Sequence, residues 1–164
     1  MSIPSNSAPR AVATVLNEII NGSDPKTGWL LNPGDAGLLR SLDALSAADA
    51  SAAAPGGGAT IAAHVDHLRY GLGLLNRWSR GENPFDDADW GASWRLGPVS
   101  DSEWANLRRE LRQAAEEWQQ RFGELLDVDP DGWTGAVASA AHLAYHLGAI
   151  RQIASAASGP PAVD

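Results

Sequence analysis

His142 and His146 stand four residues apart in the stretch Ala141-His142-Leu143-Ala144-Tyr145-His146-Leu147. In a helix that spacing sends both imidazoles out of one face. The chain has four histidines, and the other two, His64 and His67, sit together in an earlier segment. Neutral imidazole nitrogens suit a divalent ion such as Zn2+ or Ni2+. Two nitrogens from one helix and a third from another, His67 or His64, make three protein ligands. That number leaves a position open for water or substrate, the pattern of a catalytic rather than a closed structural zinc site. The pair is not a zincin motif, because Leu143 stands where that motif carries its general-base glutamate.

Neighbouring residues extend the candidate site. Tyr70 lies one turn beyond His67 and could donate a proton or a hydrogen bond, or pack as a boundary tyrosine. Arg69 and Arg151 could hold an anionic substrate, since guanidinium matches carboxylate geometry. Asp66 precedes His67 and leaves the helix in another direction, so it is not expected among the ligands. Asp86, Asp87 and Asp89 lack the further oxygen ligands and the glycine of an EF-hand loop and read as solvated acids.

The elements that must position these residues are helical. A first helix is expected from about Pro9 through Val12, Val15, Leu16, Ile19 and Ile20, stopped by Asn21-Gly22. Leu38, Leu39, Leu42 and Leu45 suggest one short extra helix ending before the Ala/Ser-rich run 47–54. A second long helix begins at Thr60 as N-cap and ends near Gly81, with Ile61, Val65, Leu68, Leu72 and Leu75 as its apolar stripe. His64, His67, Gly71, Leu74 and Trp78 form the adjoining stripe. Residues 82–97 make a long loop carrying Trp90 and Trp94, either as extra core or as a functional loop. Ser100 and Glu103 form a capping box for a third long helix running through Trp104, Leu111, Trp118, Phe122 and Leu125. That helix is expected to stop between Asp127 and Gly132. A fourth is expected from Thr134 through Val137, Ala140, Ala141, Ala144, Leu147 and Ile150 to about Ala157. No segment alternates with period two. The expectation is one all-α domain over residues 1–164, a four-helix bundle with irregular loops, whose core sites come from facing helices.

Composition narrows the function classes. The 164 residues are 44% hydrophobic and 20% charged, ordinary for a soluble domain. A net charge of −8 speaks against a phosphate-backbone partner, so no nucleic acid is expected. Lys26 is the single lysine and there is no cysteine, which excludes disulfides, thiolate catalysis by the chain and cysteine-ligated zinc. Residues 1–10 carry no apolar run and no stretch approaches a membrane span of ~20 residues. No signal peptide and no membrane are therefore expected, and the compartment expected is the cytoplasm.

Thr60-Ile61-Ala62-Ala63-His64-Val65-Asp66-His67-Leu68, the following Trp78, and the late His142-x-x-x-His146 helix with Arg151-Gln152 together resemble the DinB-like superfamily. That group includes the bacillithiol transferases and the mycothiol-dependent maleylpyruvate isomerases. The resemblance implies a four-helix bundle with one metal-ligating histidine on the second long helix and an HxxxH pair on the fourth. Carried onto this chain, it implies that His67, His142 and His146 hold the metal, with His64 as the alternative on the second helix. His64 otherwise falls to a rim or supporting place, as Tyr70 and Arg151 do. It further implies a metal-dependent enzyme acting on a small-molecule substrate, as a thiol-dependent S-transferase or isomerase with a low-molecular-weight thiol cosubstrate, and a possible homodimer. The other reading is a catalytically silent bundle that acts as a binding or dimeric interaction protein, since fold alone does not establish function.

Overall fold

The computed structural model describes residues 7–54, 56–124 and 130–154. Within them lie six α-helices and one 3-10 turn and no strand: α1 (Ser7–Asn21), α2 (Gly37–Asp43), α3 (Ala47–Ser51), α4 (Ile61–Ser79), the turn Ala92–Arg95, α5 (Asp101–Glu124) and α6 (Pro130–Ile153). The fold is all-α. The four long helices α1, α4, α5 and α6 share one core. Helix α4 packs against both α5 and α6, and α1 packs against the same two from the other side. The helices that carry the histidines, α4 and α6, are thus direct neighbours.

Local chemistry sets the ends of these elements. Gly22 stops α1 at φ 103°, and a Cβ there would stand 2.3 Å from the Asp35 carbonyl oxygen, so the site requires glycine. The Thr60 hydroxyl accepts from the Ala63 amide at 3.2 Å and caps α4. Ser100 and Glu103 cap α5 reciprocally: the Ser100 amide donates to the Glu103 carboxylate at 2.7 Å and the Glu103 amide to the Ser100 hydroxyl at 3.4 Å.

Three expectations need correction. The Ala/Ser-rich run contains a second short helix, α3, because Ser46 and Asp49 cap one another and Ala47 and Ala50 are small enough to bury. Helix α6 begins at Pro130 rather than Thr134, since proline is well suited to a first helical turn. Val137 and Ala141 face outward, into a groove shared with α1, and the core face of α6 is Ala136, Ala140, Leu143, Leu147 and Ile150. Leu125, Asp127, Ala157 and the Phe122 side chain lie outside the described residues.

The core combines that face with Leu16, Ile19 and Ile20 of α1, Leu38 and Leu42 of α2, Ile61, Val65, Leu68 and Leu72 of α4, and Trp104, Leu111 and Trp118 of α5. Both buried indoles satisfy their N–H groups across elements. Trp104 Nε1 donates to the Leu45 carbonyl at 2.8 Å, and Trp118 Nε1 to the Ser139 hydroxyl at 3.0 Å. The second contact fixes α6 against α5 one turn before His142. No helix of the described residues is long and apolar enough to cross a membrane.

Candidate metal centre

The apolar stripes of α4 and α6 orient the histidines. On α4, Val65 and Leu68 point into the core, which turns the neighbouring His64 and His67 toward α6. On α6, Leu143 and Leu147 do the same, and His142 and His146 each precede one of them. One nitrogen from each of His67, His142 and His146 falls into a cluster whose members all lie within 4.8 Å of one another. His67 and His146 are buried, 7% and 3% exposed, while His142 is exposed.

His64 stands beside this cluster, and its Nδ1 is 2.8 Å from His146 Nδ1. Two like ring nitrogens at that distance must share one proton, so one ring donates and the other accepts. If His146 is to give Nε2 to an ion, its Nδ1 carries the proton and His64 Nδ1 accepts it. His64 then sets the orientation and tautomer of His146, as outer partners of ligating histidines do.

Electrostatics keep the four rings neutral at ordinary pH. Burial pushes all four below the usual histidine value. His146 falls to about 3, first through burial and then through repulsion from His142, His64 and His67. For His67, burial leads, His142 and His64 add to it, and Asp66 opposes it. Neutral imidazoles present lone pairs, the form in which they ligate metals. His67 Nδ1 is buried and has no hydrogen-bond partner in the protein. A buried polar atom without a partner is costly, and an ion or a bound polar group would satisfy it. The donor set therefore fits a divalent metal, and the triad is compatible with a metal site.

The loop between α4 and α5 closes over this group. The 3-10 turn Ala92–Arg95 sets the Trp94 indole on His67, centroids 4.6 Å apart with planes 30° from parallel, and at 6.1 Å and 23° from His146. Trp90 approaches His67 at 5.9 Å. Both indoles are about two-fifths exposed, so they cover the histidines instead of filling the end of the core. Two anchors hold the loop to α4. The Ser93 hydroxyl donates to Asp66 Oδ2 at 2.6 Å, and the Asp89 amide donates to the Tyr70 hydroxyl at 3.0 Å.

The remaining candidates have other partners. Asp66 takes Arg69 as well as Ser93, and Arg69 also reaches Glu110 at 3.7 Å. Tyr70 serves the loop and packs edge-on to Trp90 at 5.8 Å. Arg151 makes a two-pronged ion pair with the buried Asp35, at 2.6 and 2.9 Å. The residue that spacing could not reveal is Ser93, whose link to Asp66 spans 27 positions.

A family model described as the DinB superfamily matches residues 35–150, which includes all four histidines and the covering loop. No curated protein and no solved structure matches the chain.

Proposed function

The chain belongs to the DinB superfamily, and from that premise we propose that it is a metal-dependent enzyme whose ion is held by His67, His142 and His146. The observation that carries this reading is the convergence of three neutral histidines from two helices, one of them with a buried, unpartnered nitrogen. Zn2+ and Ni2+ are among the ions that an all-imidazole donor set suits. An ion there would supply Lewis acidity, which makes a thiol or a water more acidic and polarises a carbonyl.

The protein's own residues divide the remaining work. His64 orients His146 through the 2.8 Å contact. Trp94 shields His67 and His146 from water on the loop side, which strengthens any charge interaction made beneath it. His142, exposed, is where a reactant meets the triad. The reaction class in this reading is transfer of a low-molecular-weight thiol to an electrophile, or a thiol-assisted isomerisation, on a small molecule in the cytoplasm. Metal analysis of protein purified without a histidine tag, after incubation with Zn2+ and Ni2+, should find about one ion per chain, and less than about 0.2 would count heavily against the reading. A thiol-transfer assay over a panel of electrophiles then tests the chemistry. Full activity in metal-free His142→Ala protein would sink it.

A second reading, a non-catalytic bundle that pairs with another copy, draws on the exposed apolar residues Trp29, Leu30 and Val137 beside the α1–α6 groove. Sedimentation of the purified chain, together with silence in the transfer assay, would favour it.

A further inference from the structure

A cleft of about 250 Å3 opens between α4 and α6 beside the triad, and its walls are almost entirely apolar. Leu68 and Leu72 of α4, Ala138 of α6, and Phe85 and Trp90 of the covering loop line it, and His142 is its one imidazole. Among the described residues, none that lines it is charged. The one hydroxyl among the described lining residues, that of Ser139, already gives its proton to the Ala136 carbonyl and accepts from Trp118. The guanidinium groups nearest in sequence to the histidines are bound elsewhere, Arg69 to Asp66 and Arg151 to Asp35. Away from the ion, no cationic group among the described lining residues would offset the desolvation of a carboxylate or phosphate, whose burial without a partner is prohibitive.

Size and shape narrow the occupant further. An apolar cavity of about 150 Å3 accepts benzene, so this cleft has room for one substituted ring or two fused ones. Phe85 and Trp90 are 39% and 43% exposed, and a flat ring between the helices would cover apolar surface that now faces water. Building on the metal-site reading, we infer that the cleft seats the uncharged, aromatic body of the substrate, with its reacting atom directed past His142 to the triad. The cleft thus selects an aromatic ring without a charged substituent over one that carries a carboxylate or phosphate.

Two probes separate the cleft from the ion. Imidazole samples only the open metal position, while 1-benzylimidazole adds a phenyl ring on a flexible methylene. In calorimetric titrations of zinc-loaded protein, the benzyl compound should bind at least about tenfold tighter. Filling the cleft should bring the two affinities within about twofold while leaving that of imidazole unchanged. Ala138→Phe does so from an exposed position. Gly135→Leu does so where a Cβ meets nothing within 4 Å and a helix gains a better former. Equal affinities in the unsubstituted protein, or a preference that survives both variants, overturns the cleft proposal. So does tighter binding of an analogue with a ring carboxylate. Failure of zinc and imidazole to bind overturns the metal reading instead. The cleft is then read by titrating toluene into metal-free protein and following the Ala138, Leu68 and Leu72 methyl resonances. Unmoved resonances overturn the cleft proposal on their own.

Discussion

Adding Zn2+ should raise the melting temperature of the protein, and the four histidines should divide into two classes by what their loss does to that rise. Zinc–imidazole bonds of about 2.0–2.1 Å at tetrahedral angles put ligand nitrogens about 3.4 Å apart. The nitrogens of His67, His142 and His146 lie within 4.8 Å of one another, so closure asks for movements on the order of 1 Å, within reach of side-chain torsions. At zinc one hundred times its dissociation constant, binding to the folded state alone contributes about 2.7 kcal/mol. For a chain of this length, each kcal/mol is about 2–4 °C, which gives a rise of about 5–10 °C. Replacing His67, His142 or His146 with alanine should abolish most of that rise. Replacing His64 removes the partner of His146 and no ligand, a loss of about 10–100-fold in affinity. At the same zinc concentration a tenfold loss leaves about half of the rise, and with zinc raised another tenfold about a third survives even a hundredfold loss. Circular dichroism melts of each variant with and without zinc read the comparison, each against its own metal-free baseline. Equal loss in His64→Ala and His67→Ala would refute the division of labour on α4, and an unmoved melt in the unsubstituted protein would refute the site.

Acid should destabilise the metal-free protein through the same rings. The folded-state values are depressed, so the unfolded chain binds more protons below about 6.5. Stability is then intact above that pH and falls as pH drops toward about 3, with His146 alone contributing about 1.4 kcal/mol per unit. Urea melts from pH 7 to 5 that show no decline would contradict this. Trp94→Ala should weaken zinc binding by about two- to tenfold, the worth of one stacked ring, with little change in the metal-free melt; calorimetry separates the two effects. Asp35→Ala should cost about 3–5 kcal/mol by leaving Arg151 without its buried carboxylate, and a chemical melt of normal stability would show the pair to be dispensable. Glu18→Gln should destabilise the turn at Trp29–Leu31. Burial alone would raise the Glu18 carboxyl, but amides of Leu31, Trp29 and Leu30 outweigh it and hold it low. That contribution is present above the ordinary carboxylate value and should vanish as pH falls through the folded one, so the variant and the parent should converge in acid.

What could be read from the sequence was local. Thr60, Gly22 and the Ser100–Glu103 pair act on backbone groups within a few residues, and their types announce their roles. Helix α3 carries an equally local signal in Ser46 and Asp49, but five residues rich in alanine show no apolar period to go with it. On α6 the alanines and Val137 put apolar groups on more than one face, so periodicity could not choose between them. The same limit holds at the site. Spacing put His142 and His146 on one face, yet it left His64 and His67 equivalent, because one helical turn separates them. Their difference arises only across the interface, where His64 meets His146 and His67 lies under Trp94. Tyr70 looks like a proton donor in sequence and Asp66 only like an acid turned away from the ligands; both become loop anchors once residues 89 and 93 fold back on them.

Asp66 and His67 are consecutive, and they face different ways. One holds Ser93 on the loop side and the other turns its ring toward α6. A helix turns about 100° per residue. Inserting or deleting one residue between Thr60 and Asp66 would therefore swing the loop anchor and the histidine out of place by the same angle in one event. Inserting three or four would restore the angle and displace both along the axis by about 5 Å, beyond the reach of either partner. This stretch of α4, buried at Ile61, Ala62, Ala63 and Val65, accordingly does not tolerate a change in length.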